Sequence, residues 1–292
     1  MPQYLTPNRY RLMSLGIDLS AKSDAEIGAL IGSASAEVNR HCAAPMGHDF
    51  RGGTVSREEH QWDVGNTHRR PTGRLWPKHG MGVMPITSCN QIDIYTTKTN
   101  YVRFTPTNIF VNGRTGYVEP IAAPITTALF TSIPPWLLSS PVAYIDYTYA
   151  REYVETDEQL YPLGGKTYQA LNQFWTDAAV TVKVDGSTVA GSDYTVNRVE
   201  GSITFTAIQD ASAEVTVTYT HKLDFAIAMA TAIVVTDMLG YSNINASGLG
   251  GLSAIKVEEI ELRQSSKAGY NNMDLHPAAK KFLGSFVYVS FG

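Results

Sequence analysis

Residues 215–239 read VTVTYTHKLDFAIAMATAIVVTDML. Val215, Val217 and Tyr219 alternate with threonine, the two-residue period of a strand. From Phe225 the spacing turns helical: Phe225, Ala228, Met229, Ala232, Val235 and Leu239 mark one face, while Ile227, Ile233 and Val234 lie off it. A helix apolar all round has to be buried on most sides, because exposed aliphatic surface costs free energy in water. Either it is central to its own domain or a neighbouring subunit covers the rest. Gly240 is the expected C-cap. This passage from strand to long apolar helix sets the expectation of an α+β chain.

Working outward, a second helix is expected from Ser23-Asp24-Ala25-Glu26. The Ser23 hydroxyl can accept from the Glu26 backbone while the Glu26 side chain reaches back, the reciprocal pairing of a capping box. Ile27, Leu30, Ile31, Ala34, Val38 and Cys42 then recur at helical spacing until Pro45. Gly47 to Gly82 reads as a long loop. Strands are expected at Ile92 and Ile94, Tyr101 and Arg103, Ile109 and Val111, and Val142 to Tyr149. Glu155 to Thr176 reads as a linker with one short helix. Val180, Val182 and Val184 then alternate and stop at Asp185-Gly186, a hairpin turn signal. Strands follow at Tyr194–Val196 and Ile203–Phe205. Two stretches match: Phe110-Val111-Asn112 with Gly116 against Thr195-Val196-Asn197 with Gly201, and residues 143–148 against 215–220. The matches fit an internal duplication, and they equally fit the valine-glycine-tyrosine vocabulary that hairpins share. Beyond the apolar helix, Ile255, Val257, Ile260 and Leu262 read as a strand and Pro277 to Leu283 as a short helix. Phe286 to Phe291 reads as an alternating terminal strand of the kind that adds to a partner sheet.

Charged residues are 17% of the 292 and hydrophobic ones 43%, enough for a sizeable core, at a formal net charge of −4. That balance excludes a basic nucleic-acid coat. Two cysteines, Cys42 and Cys89, make neither a disulfide framework nor a four-cysteine zinc site. His41, Cys42, His48 and His60 do not follow a zinc spacing. Gly165-Lys166-Thr167 lacks the earlier glycine of a phosphate loop, since Leu160 stands there. Glu58-Glu59, Asp157-Glu158 and Glu258-Glu259 are sequence neighbours whose side chains point apart, and they read as solvated surface. No enzyme, cofactor or metal is expected. The first residues contain Asn8, Arg9 and Arg11 and no long apolar run, so neither a secretory signal nor a membrane span is expected.

One charged feature rises above background. His68-Arg69-Arg70 is followed by Arg74, Lys78 and His79, with Trp76 between. Arg69, Arg70, Arg74 and Lys78 are the candidates for contact with DNA phosphates or an acidic partner. Ile227, Ile233, Val234, Phe286, Tyr288 and Phe291 are the candidates for a subunit or partner interface.

Taken in order, these pieces resemble the head-to-tail adaptor (head completion, connector) proteins of long-tailed bacteriophages. The helix bearing Ile27, Leu30, Ile31, Ser35 and Val38, with its exit Cys42-Ala43-Ala44-Pro45, is similar to the family's first helix. Pro85-Ile86-Thr87-Ser88 running into Ile92-Asp93-Ile94-Tyr95 resembles the approach to its β part. Residues 215–220 running into the long helix, then Leu275-His276-Pro277-Ala278-Ala279 with Phe282-Leu283, resemble its second half. The resemblance implies a helical adaptor core from residues 1–84 and 223–292, in which the helices from Ser23 and Phe225 pack together. Two antiparallel β segments are inserted, 85–155 and, after a linker, 156–222. It implies a structural virion protein, made in the host cytoplasm, forming a ring (usually twelvefold in the family) at the head–tail junction. Its partners would be itself, the portal protein and a tail-completion, stopper or tail terminator protein, with packaged DNA passing through the channel and no membrane. The competing readings are a tail or baseplate completion protein and a β-rich adhesion or carbohydrate-binding module.

Overall fold

Alternating valine, threonine and tyrosine build most of this chain. The computed structural model describes residues 2–13, 17–61, 74–80, 84–95, 99, 101–113, 116–121, 142–247, 254–257, 260–263 and 275–288, with backbone alone for 240–247, 254–257 and 260–263. Three four-stranded and two two-stranded antiparallel sheets stand beside four α-helices among these residues. A helical core with two inserted β segments is therefore not the architecture; the chain is predominantly β. Two compact units form: Met1–Ala43 with Glu152–Val287, and Ala44–Arg151 with Tyr288–Gly292. The expected boundaries at 84/85, 155/156 and 222/223 do not coincide with this division.

The second unit holds a module of strands β1 (Gly53–Gln61), β2 (Ile86–Tyr95), β3 (Tyr101–Phe104), β4 (Ile109–Asn112), β5 (Tyr117–Pro120) and β6 (Val142–Tyr149). Its main sheet runs β1-β6-β2-β3, and β4-β5 is a hairpin bridged to Leu75 at Val118. The first unit holds β7 (Tyr153–Gln159), β8 (Tyr161–Gly164), β9 (Thr167–Gln169), β10 (Thr181–Val184), β11 (Ser187–Thr188), β12 (Tyr194–Asn197), β13 (Ser202–Phe205) and β14 (Val215–His221). Its sheets run β11-β10-β14-β7 and β12-β13-β9-β8.

Six strands of one module recur in the other, with the Leu75 bridge standing where β9 pairs. β6 lies between β1 and β2 as β14 lies between β7 and β10, all antiparallel. Ile145 faces Glu58 and Ile92; Val217 faces Glu158 and Val182. The hairpins agree in register: Asn112 pairs with Tyr117 and Asn197 with Ser202. Each turn closes with a bond from a left-handed glycine, Gly116 N–H to Asn112 O at 2.8 Å and Gly201 N–H to Asn197 O at 2.9 Å. Even the irregularities coincide. β1 bulges at Arg57 (φ 55°) opposite Asp146, and β7 bulges at Asp157 (φ 52°) opposite Thr218. A shared bulge is a specific feature, since each one displaces a ladder bond. The segment matches 110–116 with 195–201 and 143–148 with 215–220 lie in this common register.

Two expected loops are strands for one reason. β6 and β14 are central and apolar on one face, so both edges of their backbone need partners. β1 and β7 supply one edge with charged sequences, Thr-Val-Ser-Arg-Glu-Glu-His and Val-Glu-Thr-Asp-Glu, that show no clean apolar alternation. Gly47–Gly82 thus contains β1, and Glu155–Thr176 contains most of β7 together with β8 and β9 rather than a linker with a helix.

Helices complete the first unit: α1 (Pro7–Met13), α2 (Asp24–His41), α3 (Phe225–Ser247) and α4 (Pro277–Leu283). Ser23 and Glu26 form both bonds of the capping box. α3 packs against α2 and α4, and α1 against α2. Ile227, Ile233 and Val234 are buried by the chain itself, so the reason for reading them as a subunit interface falls away. α3 runs through Gly240 to Ser247 instead of ending there, and the strand expected at 255–262 is a hairpin of β15 (Ala254–Val257) and β16 (Ile260–Arg263). Phe286 and Tyr288 are buried and not in a strand, which corrects the free terminal strand as far as Tyr288; Phe291 lies outside the described residues. No helix is long and apolar enough to cross a membrane among the described residues.

Candidate functional site

A buried polar knot fixes the segment 74–80 on the first module. Glu58, read from sequence as solvated, points inward from β1, whereas Glu59 points out. Its carboxylate accepts from Tyr147 Oη at 2.5 Å, His60 Nε2 at 2.6 Å and the Lys78 backbone N–H at 2.9 Å. The one hydroxyl proton of Tyr147 is committed to Glu58, so the 2.8 Å contact with His79 requires Nδ1–H of His79 to donate. Burial alone would raise the Glu58 carboxyl; the hydrogen bonds from His60, Tyr147 and the Lys78 backbone, with His79 Nδ1 3.6 Å away, outweigh it and hold the group well below the usual carboxylate range. Tyr147 is pushed up by burial and then by Glu58. Beside the knot, His48 stacks on Tyr149 and His79 and is pushed down to about 3 by burial and by His79. Tyr288 Oη lies 3.2 Å from His48 Nε2 and donates to His79 O at 3.0 Å.

The second module carries the same knot with other residues. Glu158 accepts from Tyr219 Oη and, at 2.5 Å, from the Leu171 backbone N–H, while Asn172 Nδ2 donates to Tyr219 Oη at 3.1 Å. Glu158, Tyr219, Leu171 and Asn172 stand where Glu58, Tyr147, Lys78 and His79 stand. A device present in both modules holds a loop to a sheet in each, and in the second it leaves Asn172 Oδ1 buried without a hydrogen-bond partner. α1 docks at that loop of the second module, where Arg9 Nη2 donates to Leu171 O at 2.5 Å and Thr6 Oγ1 to Glu200 at 2.7 Å.

What differs between the modules is the outward face of the small sheet. In the first, Trp76 (44% exposed) meets Tyr117 edge-on at 5.4 Å, and Phe110 (43% exposed) lies 6.0 Å from the same ring. The Arg74 guanidinium sits 4.6 Å over Tyr117 and 3.4 Å from Glu119, and Ile121 is exposed at the edge. The corresponding second-module residues, by register, are Gln169 for Trp76, Thr195 for Phe110, Ser202 for Tyr117 and Thr206 for Ile121. Gln169 and Ser202 are buried, and Gln169 donates to Glu200 O and Gly201 O, whereas Trp76 and Phe110 stand partly exposed on the same backbone plan. Exposed Trp76 beside a half-buried Tyr117 and an arginine is the composition of binding hot spots. We expect the triple replacement Trp76→Gln, Phe110→Thr and Tyr117→Ser to keep the melting temperature within a few degrees, measured by circular dichroism, while abolishing partner binding through this face.

Of the residues singled out from sequence, Arg74 flanks this face, and Lys78 is exposed while its backbone serves the knot. Arg69 and Arg70 lie outside the described residues. Trp76 was visible in the sequence, but Phe110, Tyr117 and Ile121 join it only through the hairpin register. His41, Cys42, His48 and His60 do not converge: Cys42 is buried behind α2, His48 is stacked among rings and His60 is on Glu58. Among the described residues no three His, Cys, Asp or Glu side chains form a group able to hold a metal ion. In comparisons with known proteins, no family matches the chain and no curated protein is similar to it.

Proposed function

We propose that this chain is a structural virion subunit, a head-to-tail adaptor that forms a ring between portal and tail and extends the DNA channel. The observation that carries the reading is the joining of α2, α3 and α4. α2 begins more than two hundred residues before the other two, and the three are the elements whose sequences resemble the adaptor family. Between α2 and α3 the chain carries the two β modules. The carboxylates of Glu58 and Glu158 each anchor a loop to a sheet, in keeping with a structural role. The ring would be made of copies of this chain, with the portal on one face and a tail-completion, stopper or tail terminator protein on the other.

The exposed aromatic face also suits the second reading, a β-rich adhesion or carbohydrate-binding module, because sugar rings stack on aromatic side chains. The two are separated by assembly. Purified full-length chain, alone or mixed with purified portal rings, is expected to give closed rings by native mass spectrometry and negative-stain microscopy. A chain that stays monomeric in both conditions and binds immobilised glycans through Trp76 would contradict the adaptor.

A further inference from the structure

The two modules share a backbone plan but differ in charge. Residues 53–149 carry eight Lys and Arg against six Asp and Glu, whereas residues 153–221 carry three against nine. The contrast is local as well. On the first module Arg74 and Lys78 border the exposed Trp76, Phe110 and Ile121. On the second, the loop leading into β14 presents Ile208, 71% exposed, followed by Asp210 and Glu214. Asp185 joins them, its carboxylate accepting from the Glu214 N–H at 2.9 Å. One chain therefore offers an apolar surface edged with positive charge and an apolar knob edged with negative charge. Such a pair gains both hydrophobic burial and electrostatic steering when it meets. A face that meets a different face of its own copy is a heterologous contact, and repetition of that contact closes a ring or runs on as a filament.

We propose that the Trp76–Phe110 face of one copy docks on the Ile208–Glu214 loop of the next copy, and that this contact repeats around the assembly. The inference rests on the ring reading above and names the surfaces that build it. Duplex DNA fits the face less well, because its phosphate-lined backbone would leave Trp76, Phe110 and Ile121 without apolar cover.

The test uses full-length chain in three forms: unaltered, with Arg74→Glu and Lys78→Glu, and with Asp210→Arg and Glu214→Arg. Arg74→Glu gives up the contacts with Glu119 and Tyr117 while Lys78→Glu keeps the backbone bond to Glu58, and circular dichroism establishes that each form is folded. Each reversed form alone should assemble at least tenfold more weakly by sedimentation velocity. An equimolar mixture of the two reversed forms should recover assembly, since every contact then pairs opposite charges again. Raising salt should weaken the unaltered assembly. Recovery on mixing also excludes a contact made within one chain. The proposal is overturned if the reversed forms assemble normally, if the folded mixture stays dissociated, or if the unaltered chain never self-associates. It is also overturned if Arg74→Glu with Lys78→Glu abolishes binding of a duplex oligonucleotide and leaves assembly unchanged. A chain found in virions at portal copy number, whose reversed forms assemble normally, would retain the ring and reject this contact; a monomer missing from virions would remove both.

Discussion

Glu58→Ala should destabilise the first module by about 3 kcal/mol or more, the usual consequence of removing one partner from a buried, charged hydrogen-bond network. Three donors converge on that carboxylate, from Tyr147, His60 and the Lys78 backbone. Alanine would leave each of them buried and unpaired, and would free the segment that carries Arg74 and Trp76. Glu59→Ala, one residue along and facing solvent, should change stability by under ~0.5 kcal/mol. Urea unfolding measures the difference, and hydrogen exchange across β1 and β6 assigns it to the module. Equal effects at both positions would contradict the knot.

The same knot makes the module sensitive to acid. Glu58 is held below its unfolded-state value, so its contribution is present above about pH 4.3 and is lost as pH falls below that. His48, pushed down to about 3, is buried neutral; its contribution is complete above about pH 6.5 and declines as pH falls toward 3. Both groups act in the same direction. The urea midpoint should therefore decline from about pH 6.5 downward, more steeply below about 4.3, and His48→Gln should remove the upper part of the slope. A flat profile between pH 6.5 and 4.3 in the unaltered chain would contradict the burial of His48.

Gly201→Ala is expected to be the other severe substitution. Gly201 closes the β12–β13 turn at φ 66°, a conformation that costs an L-residue about 1 kcal/mol. Space makes the change worse. A Cβ there would lie 2.1 Å from the Asn172 carbonyl oxygen and 3.0 Å from Trp175 Nε1. Those two atoms are hydrogen-bonded to one another at 2.9 Å, and Trp175 stacks on Tyr219 at 4.2 Å in the middle of the second module's core. Relieving the clash means moving Asn172, whose side chain holds Tyr219 in the knot. A loss on the order of 3 kcal/mol is expected from strain and overpacking together. Gly186→Ala, at φ 76° with nothing near, should cost only about 1 kcal/mol. Similar losses at the two glycines would show that the close approach at Gly201 is not what constrains it.

Local chemistry was legible in the sequence wherever a signal closes within a few residues. Ser23 with Glu26 marked the start of α2, and Asp185-Gly186 marked a turn in which both residues are left-handed. The pairing of α2 with α3 followed from a family resemblance. What could not be read was every feature that depends on a distant partner. β1 and β7 are charged, and they are strands because β6 and β14 need their outer edges paired. Glu58 looks like Glu59 until Tyr147, eighty-nine residues away, takes its carboxylate inward. Ile227, Ile233 and Val234 suggested a missing neighbour, because an apolar sequence shows that a helix must be covered and not by what. The outward face around Trp76 has the same origin, since Phe110 and Tyr117 reach it through hairpin pairing, and the contrast with Gln169, Thr195 and Ser202 is visible only once the modules are in register.

We propose a ring of this chain at the head–tail junction. It is tested most directly by quantitative mass spectrometry of purified source virions, and of separated heads and tails, against the portal and the major capsid protein. A copy number equal to that of the portal, retained at the junction, is expected. Absence from the virion, or a copy number and location that follow fibres or baseplate, would contradict it.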